Sequence, residues 1–418
     1  MMRAVISPSA LCGTVTAPPS KSAAHRSLIC AALCDSEVIV RNCGNSDDIT
    51  ATIGVLEALG SKITRNGTDV TVTPINRNNK NITVTALESG STARFLIPVT
   101  AALGCENVTF TGRGRLPERP FETIVEALRS VGVTCSDIKL PMTISGQLKC
   151  GVYKLSGNIS SQYISGLLLA LSIVPGQSRI EITSKLESAA YVDMTLNELR
   201  AFGADITSDQ NGYTINGKSH LNANTRTVEG DWSQAAFFLS AGALCGDVTV
   251  NGLDLNSLQG DKEIVNILKR FGADITCGAD YVRVKKSDLK GTVIDASQIP
   301  DLVPILAVTA SLARGETVIV GAERLRIKES DRLKETVTRL NAFGINAVET
   351  ADGMRITGSK PRGADITSAG DHRIVMCFSV LATVSLGETS IKDPMAINKS
   401  YPSFFDDFNH LGGVYRVI

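Results

Sequence analysis

The chain has 418 residues, 43% of them apolar, and its 42 basic residues balance its 42 acidic residues. At about 100 to 200 residues per domain, this length predicts two or three domains, and the apolar fraction is sufficient to form their cores. The zero net charge provides no general attraction to nucleic acid or to an anionic membrane, so an anion-binding site must be a local cluster of cations.

The N-terminal segment and the cysteines favour a cytoplasmic protein. The first residues, MMRAVISPSALCG, lack the apolar run of a signal peptide, and no apolar stretch approaches the roughly 18 residues of a membrane span. The ten cysteines form no C-x-x-C pair, and Cys30, Cys245 and Cys377 lie in apolar or small-residue runs. We therefore predict reduced, buried thiols and no membrane partner.

Two sequence patterns repeat along the chain. The first is an apolar run, a tight turn and a β-branched strand; its six turns are about 70 residues apart, near Cys34, Gly104, Gly176, Gly246, Gly315 and Gly387. The second is a helix that closes on a glycine before another strand, at Gly60, Gly132, Gly203, Gly272 and Gly344. Together they predict a βαβαββ-like unit in an α/β (α+β) fold, with helices on one face of a mixed sheet.

Six such units divide most simply into two similar domains of three repeats each. The chain has two plausible crossings between them, near 16–20, where Pro18 and Pro19 lie, and near 228–231. We predict an inserted domain over 21–227 and a discontinuous domain over 1–17 and 231–418. A cleft between two such domains is a natural active site, because closure can exclude water and assemble groups from both sides.

Two stretches of the first half place small polar residues at predicted helix starts. In APPSKSAAHR, Lys21, Ser22 and Arg26 combine backbone N–H groups with cations, which suits a phosphate, although a capped surface helix is an equally good interpretation. In GNISSQY, the run of residues 160–162 forms a neutral cup for hydroxyl groups or phosphate oxygens. This second signal is weak by itself, because serine-rich helix caps are common.

Two further stretches bring a glycine and several arginines. In LESGSTARF, Gly90 allows close approach of a ligand to the backbone, or simply forms a tight turn. In GRGRLPERPF, three arginines surround Pro117, which occupies the third glycine position of a dinucleotide-binding pattern. With no P-loop signature elsewhere, the sequence disfavours nucleotide-dependent chemistry.

The second half supplies ionisable groups in DASQIPDLVPILA, LRIKESDRLKE, GDHRIVMCFSV and INKSYPSFFDDF. The alternating charges of 328–332 are also typical of a solvated helix start. The residues Asp371, His372 and Arg373 precede an apolar run, so their charges gather at the start of a buried helix. A single histidine in such a place is more often structural than catalytic.

The motifs SKSAAHR, SGSTAR, ERPF, SSQY, IPD, IKESDR, DHR and NKS occur in the same order as in 5-enolpyruvylshikimate-3-phosphate synthases, and the chain resembles that family from Lys21 to Lys399. The resemblance implies an enzyme that transfers the carboxyvinyl group of phosphoenolpyruvate to the 5-hydroxyl of shikimate 3-phosphate in the route to aromatic amino acids. It also implies a cytoplasmic monomer that needs no metal and no cofactor and binds no nucleic acid.

The resemblance also assigns ligands to residues. Shikimate 3-phosphate would be bound by Lys21, Ser22, Arg26, Ser160, Ser161, Gln162, Ser188, Asp301 and Lys328. Phosphoenolpyruvate would be bound by Lys21, Gly90, Arg119, Gln162, Arg332, Arg373 and Lys399. Asp301 would accept the proton of the attacking hydroxyl, Glu329 would protonate the methylene carbon, and Lys21 would contact both ligands.

Two positions depart from many relatives, which have asparagine where this chain has Glu88 and, in some cases, where it has Arg324. The nearest alternative is the enolpyruvyl transferase that uses UDP-N-acetylglucosamine, but the arginine loop over 112–121 has no reactive cysteine. A noncatalytic RNA-binding relative would need a basic, aromatic face, yet the chain is neutral and only 5% aromatic.

Overall fold

The structure is a computed structural model that describes residues 2–75, 79–218 and 221–418. The chain forms two compact units. The inserted unit is Pro19–Val228, and the terminal unit combines Met1–Pro18 with Glu229–Ile418. Each unit has its own apolar core.

The described residues form twelve α-helices, none of which is long and apolar enough to cross a membrane. They are α1 (Lys21–Ala32), α2 (Asp47–Ala58), α3 (Gly90–Ala102), α4 (Glu122–Arg129), α5 (Ser161–Leu171), α6 (Ala189–Ala201), α7 (Trp232–Cys245), α8 (Ile264–Phe271), α9 (Val303–Ala310), α10 (Arg332–Ala342), α11 (His372–Thr383) and α12 (Phe404–His410).

The same residues form twenty-four strands. They are β1 (Arg3–Ser7), β2 (Cys12–Thr16), β3 (Val38–Arg41), β4 (Ile63–Asn66), β5 (Asp69–Val72), β6 (Thr83–Thr85), β7 (Val108–Thr111), β8 (Thr134–Cys135), β9 (Met142–Ser145), β10 (Val152–Leu155), β11 (Gly176–Ile182), β12 (Asp205–Asp209), β13 (Gly212–Gly217), β14 (Thr225–Thr227), β15 (Asp247–Asn251), β16 (Asp274–Cys277), β17 (Tyr281–Lys285), β18 (Val293–Asp295), β19 (Glu316–Val320), β20 (Asn346–Glu349), β21 (Met354–Thr357), β22 (Asp365–Thr367), β23 (Thr389–Lys392) and β24 (Val414–Val417).

These strands pair into six four-stranded sheets, three in each unit. In the inserted unit the orders are β14-β3-β5-β4, β6-β7-β9-β8 and β10-β11-β13-β12; in the terminal unit they are β16-β17-β15-β2, β18-β19-β21-β20 and β22-β23-β1-β24. Each sheet has one parallel and two antiparallel pairs, as in Thr83 beside Thr109 and Val108 beside Ile144. The predicted mixed βαβαββ units are confirmed.

Strands next to the two connections between the units complete sheets with partners far away in sequence. Strand β2 pairs in parallel with β15, so that Val15 lies beside Val250 in the terminal unit. Strand β14 pairs in parallel with β3, so that Arg226 lies beside Val40 in the inserted unit. The repeat is therefore complete in space where it is interrupted in sequence.

Glycine ends the second helix of each repeat, as predicted. Gly60, Gly132, Gly203, Gly272 and Gly344 all have φ values between the +79° of Gly344 and the +96° of Gly272, where a side chain is disfavoured. A sixth copy, at Gly412 with φ +95°, follows α12. This copy was not predicted, because α12 has only 7 residues.

The other helices, α1, α3, α5, α7, α9 and α11, lie in the cores and are buried along most of their length. Helix α5 packs closely on α3, because a Cβ at Gly166 would lie only 2.3 Å from the carbonyl oxygen of Arg94. Since the bodies of these helices are apolar, their polar residues concentrate at the N-terminal ends. The motifs SKSAAHR, SGSTAR, SSQY, IPD and DHR lie at or just before these ends, whereas ERPF and IKESDR precede α4 and α10, and NKS ends a 3-10 helix.

The prediction of buried cysteines is only partly right. Cys30 and Cys377 are buried and Cys245 is half-buried, but Cys12, Cys150 and Cys277 are exposed. Cys12 begins β2 and Cys277 ends β16, at strand ends that the cores do not cover. The sequence pattern did not distinguish these ends from the strand centres.

Candidate active site

The first candidate segment of the inserted unit is the start of α1. Ser20 caps the helix through a hydrogen bond that its side chain accepts from the N–H of Ala23. The ammonium of Lys21 lies 2.6 Å from a carboxylate oxygen of Asp48 at the start of α2. Lys21 is therefore held by a carboxylate that the sequence reading did not include, because Asp47 and Asp48 look like ordinary acidic residues of a first helical turn.

Arg26 is buried one turn further along α1. Its guanidinium donates to Thr195 Oγ1 at 2.7 Å, to the Tyr191 carbonyl at 2.8 Å and to the Ser22 carbonyl at 2.6 Å. Burial lowers the pKa of Arg26 to about 10, so it remains cationic at neutral pH. The predicted proximity of Ser22 and Arg26 is present, but Arg26 also ties α1 to α6.

Gly90 and three polar side chains join the starts of α3 and α5. Arg94 donates to Gln162 Oε1 at 2.8 Å, and Gln162 donates to Ser91 Oγ at 2.8 Å. A Cβ at Gly90 would lie 2.9 Å from Nη1 of both Arg94 and Arg119. The structure thus brings together Gly90, Arg119 and Gln162, and it adds Arg94, to which the sequence reading assigned no role.

Ser160 caps α5 by accepting a hydrogen bond from the N–H of Gln162. Ser188 precedes α6 with a left-handed backbone, φ +53° and ψ +44°. This conformation is uncommon for a residue with a side chain, and such residues concentrate at functional sites. The segment before Ser188 is docked on the segment before Ser160, because Glu187 donates its N–H to the carbonyl of Gly157 at 3.0 Å.

In the terminal unit, the guanidinium of Arg332 bonds three carboxylates. It lies 2.8 Å from Asp371, 3.0 Å from Asp301 and 2.6 Å from Glu329, and the Arg332 side chain is only 1% exposed. Burial acts to lower the pKa of Arg332, but the three carboxylates outweigh burial and raise it. The alternative of a solvated helix start is therefore wrong, since Asp331 caps α10 while Arg332 points into the unit.

Asp301 lies in a short 3-10 helix, Pro300–Leu302, that leads into α9. Its carboxylate is 3.5 Å from the Lys328 ammonium and 3.3 Å from the Arg373 guanidinium, in addition to Arg332. Burial acts to raise the pKa of Asp301, but Arg373, Lys328 and Arg332 outweigh it and hold this pKa well below its usual value. Asp301 is ionised at neutral pH.

The two remaining cations, Arg373 and Lys399, lie in or beside α11. Arg373, the second residue of α11, donates to the Asp301 carbonyl at 2.9 Å and to Ser233 Oγ at 3.2 Å. Lys399 is buried at the end of a short 3-10 helix, Pro394–Lys399, which packs against α11. The predicted set Asp301, Lys328, Arg332 and Arg373 forms one connected cluster.

Asp371 is the least exposed carboxylate of this cluster. It caps α11 by accepting the N–H of Arg373 at 2.9 Å, and it also accepts the hydroxyl of Ser330 at 3.0 Å. Burial acts to raise the pKa of Asp371, and Arg332 and His372 reverse this and lower it. Sequence reasoning noted Asp371 but assigned it no role, because an aspartate before an apolar run also predicts a simple helix cap.

The two departures from the family pattern lie against neighbouring loops. A Cβ at Gly114, whose φ is +56°, would lie 2.7 Å from Oε1 of Glu88, so this carboxylate packs on the arginine loop. Arg324 donates to the Ser297 carbonyl at 2.6 Å. Both side chains contact segments that carry other candidate residues.

A family model and full-length relatives identify the same family for this chain. The family model described as EPSP synthase (3-phosphoshikimate 1-carboxyvinyltransferase) matches residues 5–408. A 3-phosphoshikimate 1-carboxyvinyltransferase of Clostridium perfringens (strain 13 / Type A) is 41% identical over 423 residues, with 100% of both chains covered. Another, of Clostridium acetobutylicum, is 43% identical over 417 residues and covers 98% of this chain and 97% of its own.

Solved structures show the same relationship. An EPSP synthase from Acinetobacter baumannii superposes with a TM-score of 0.84 at 28% identity over 100% of both chains. The enolpyruvyl transferase NikO from Streptomyces tendae, at 18% identity and a TM-score of 0.81 over 100% of this chain and 98% of its own, shares the fold. With a family model and full-length relatives in agreement, the chain belongs to the EPSP synthase family.

Proposed function

We propose that this protein is a 3-phosphoshikimate 1-carboxyvinyltransferase, which forms 5-enolpyruvylshikimate 3-phosphate and phosphate from shikimate 3-phosphate and phosphoenolpyruvate. Family membership supports the reaction. The observation that carries the chemical assignment is the pair of carboxylates, Asp301 and Glu329, that share the buried guanidinium of Arg332. An addition followed by an elimination needs two such groups, since one proton leaves an oxygen and another reaches a carbon.

In this proposal, the inserted unit binds shikimate 3-phosphate. Ser22, Ser160, Ser161, Gln162 and Ser188 offer hydroxyl, amide and backbone N–H groups at helix starts, which favour phosphate oxygens. Lys21 and Arg26 add positive charge beside them, whereas Lys328 and Asp301 would contact the sugar-like ring. Buried Arg26 also positions Ser22 and the start of α6, because it bonds both.

Phosphoenolpyruvate would be held by guanidinium and ammonium groups. Arg119 lies beside Gly90, because a Cβ at Gly90 would be only 2.9 Å from its Nη1, so this guanidinium and the Gly90 backbone could contact one ligand. Arg332, Arg373, Lys399 and Lys21 would complete the set, with Gln162 as a neutral donor. Planar guanidinium groups suit a carboxylate and a phosphate, and an ammonium can follow the phosphate as it leaves.

Asp301 would accept the proton of the 5-hydroxyl. A carboxylate whose pKa lies well below its usual value is a weak base, so the protein without ligands is poorly prepared for this step. The anionic substrates would partly neutralise Arg373, Lys328 and Arg332, and the pKa of Asp301 would then rise. Substrate binding would therefore strengthen the base that the reaction needs.

Glu329 would give its proton to the methylene carbon. In the structure, its ion pair with Arg332 favours the carboxylate form, whereas a proton donor must be protonated. If Arg332 turns towards the phosphoenolpyruvate anion, this pair weakens and Glu329 can take up a proton. The carbocation-like centre that follows protonation is attacked by the 5-hydroxyl oxygen, whose proton passes to Asp301. Loss of phosphate, and return of one methyl proton to the Glu329 carboxylate, then restores the double bond.

The test is phosphate release from phosphoenolpyruvate with shikimate 3-phosphate as the acceptor, in the presence of EDTA. We expect acceptor-dependent release that falls about 100- to 10,000-fold in Asp301→Ala and Glu329→Gln. No release from the folded wild type would overturn the proposal, and UDP-N-acetylglucosamine would then be tried as the acceptor. If both variants still release phosphate at the wild-type rate, the proposed reaction would stand, but the roles assigned to Asp301 and Glu329 would be wrong.

We also propose that the protein acts in the cytoplasm as a monomer on these small molecules, without a nucleic-acid or membrane partner. Support for these points comes from the family alone. Size-exclusion chromatography with light scattering would test the monomer, since a dimer would have twice the mass of the 44.3 kDa chain.

A further inference from the structure

A buried hydrogen-bond relay contacts Arg373, one of the cations of the terminal unit that we propose to bind phosphoenolpyruvate. The carboxylate of Asp261 accepts a hydrogen bond from the hydroxyl of Ser233. The Ser233 oxygen accepts in turn from Nη2 of Arg373, at 3.2 Å. Arg373 contacts Asp301 through both the backbone carbonyl and the carboxylate. The relay therefore runs from Asp261 to the proposed base.

The relay is built from rigid, buried parts. Ser233 is the second residue of α7, and Asp261 lies in a short 3-10 helix, Gly260–Glu263; both side chains are buried. Gln259 fixes the segment to α7, because its side chain accepts from the Trp232 N–H at 3.0 Å and donates to the Gly230 carbonyl at 2.8 Å. A group held this firmly can orient its neighbour with little loss of conformational entropy.

We infer that Ser233 and Asp261 are positioning residues for the transfer reaction, which orient the Arg373 guanidinium so that it can bind phosphoenolpyruvate while it contacts Asp301. The inference rests on the proposed function and adds two residues to it. Neither residue has to touch a substrate. A guanidinium that bonds Asp301 alone could rotate about its side-chain torsions, whereas the hydroxyl of Ser233 fixes a third point.

The charges around Asp261 define a pH dependence. Asp301, Arg373, Ser233 and Asp231 face it from the starts of α9, α11 and α7. Burial and the negative charge of Asp301 raise the pKa of Asp261 to about 6, although Arg373 opposes this. Ionised Asp261 is a stronger acceptor for Ser233 and attracts Arg373, so the relay should be tighter above pH 6 than below it.

The experiment compares Ser233→Ala, Ser233→Thr and Asp261→Asn in the phosphate-release assay. A hydrogen bond to a charged group corresponds to about 10- to 100-fold in an equilibrium constant. We expect Ser233→Ala to lower kcat/KM for phosphoenolpyruvate by about tenfold or more, while KM for shikimate 3-phosphate changes by less than about twofold. Ser233→Thr keeps a hydroxyl and should retain at least about a third of the wild-type kcat/KM.

The pH profile separates positioning from a purely structural role. The ratio of wild-type to Asp261→Asn kcat/KM cancels the titration of the substrate phosphates, which also occurs near pH 6. We expect this ratio to be about ten at pH 8 and to approach one as the pH falls to about 5. Asp247→Asn is the matched control, because Asp247 is an exposed partner of Arg283, and it should leave the profile unchanged.

Circular dichroism and thermal unfolding establish that each variant is folded. If Ser233→Ala does not fold, Asp261→Asn and Ser233→Thr still provide the test. Folded variants with wild-type kcat/KM and a pH-independent ratio would overturn the inference, as would variants that lose only stability. An inactive wild type would instead overturn the proposed function and with it this inference.

Discussion

The starts of the core helices carry different chemistry in the two units, although both units are built from the same three-repeat architecture. In the inserted unit, Ser160 and Ser188 directly precede α5 and α6, and the cations Arg26 and Lys21 bond neutral oxygens or a single carboxylate. In the terminal unit, one guanidinium bonds three carboxylates. The first arrangement suits the binding of an oxyanion, whereas the second suits proton transfer.

The difference shows that a repeated fold does not fix which residues lie at the starts of its core helices. Each core helix presents unpaired N–H groups and a partial positive charge at its start, whatever its sequence. A serine there extends the anion-binding surface without adding charge. An aspartate there caps the helix and also needs a cation when buried, as Asp371 does with Arg332. The cap residue therefore decides whether a buried cation is held at that helix start.

The largest expected effect is the loss of kcat in Asp301→Asn, compared with the weaker effect of a change in a proposed binding residue. Asp301→Asn keeps the shape of the proposed base and removes its charge, so kcat should fall by about 100- to 10,000-fold. Ser160→Ala, the matched change in the inserted unit, should lower kcat/KM for shikimate 3-phosphate by only about tenfold. Steady-state kinetics with each substrate varied measure both, and equal losses in kcat would contradict the contrast between the units.

The second prediction concerns the stability of the carboxylate cluster. Arg332→Met leaves buried Asp371 and its neighbours without their main partner, so the free energy of unfolding should fall by about 3–5 kcal/mol. Arg283→Met removes a guanidinium that pairs with Asp247 at the surface, and should lower the free energy of unfolding far less, because solvent screens this pair. Urea unfolding of both variants makes the comparison. Similar small losses would mean that the cluster does not depend on Arg332.

The third prediction tests the close approach at Gly90 in the inserted unit. Gly90→Ala places a Cβ 2.9 Å from the guanidinium groups of Arg94 and Arg119, so these groups must shift. Displacement of these proposed ligand-binding groups should raise KM for phosphoenolpyruvate about tenfold or more, with a smaller change in kcat. Gly54→Ala is the control, because Gly54 lies within α2 and a Cβ there would meet no described heavy atom within 4 Å apart from its chain neighbours and the nearby backbone of α2 itself.

The smallest expected effect is the pH dependence of stability contributed by Asp261. The pKa of about 6 in the folded protein exceeds the ordinary value near 3.9, so protonation favours the folded state. As the pH falls from 7.5 to about 4.5, wild type should gain about 1–3 kcal/mol relative to Asp261→Asn, which has no group to titrate there. Urea unfolding across this range measures the difference, and a constant difference would contradict the raised pKa.

Much of the fold could be predicted because its signals are local. The glycine after the second helix of each repeat and the β-branched strand after each turn depend on backbone geometry within a few residues. The copy that ends at Gly412 escaped because α12 is short, and the exposure of Cys12 and Cys277 escaped because burial depends on what packs at a strand end. Strand pairing such as β2 with β15 connects residues too far apart for a local pattern.

The candidate site was predicted less completely. The residues that match the family motifs were named, but Asp48, Arg94, Ser233 and Asp261 were missed or left without a role. Each resembles a common local feature: an acidic first turn, an arginine within a helix, a serine near a helix start. Only contact with Lys21, Gln162, Arg373 and one another distinguishes them.

The repeat, the order of helices and strands and the family could all be predicted from the residues alone, because these depend on short-range periodicity and on motifs in a set order. The tertiary structure decided which charges meet. The electrostatic state of Asp301 depends on Arg373 and Lys328, which lie 72 and 27 positions away along the chain. Since interactions between charges depend on distance and burial rather than on sequence separation, only the folded chain sets the pKa of the proposed base.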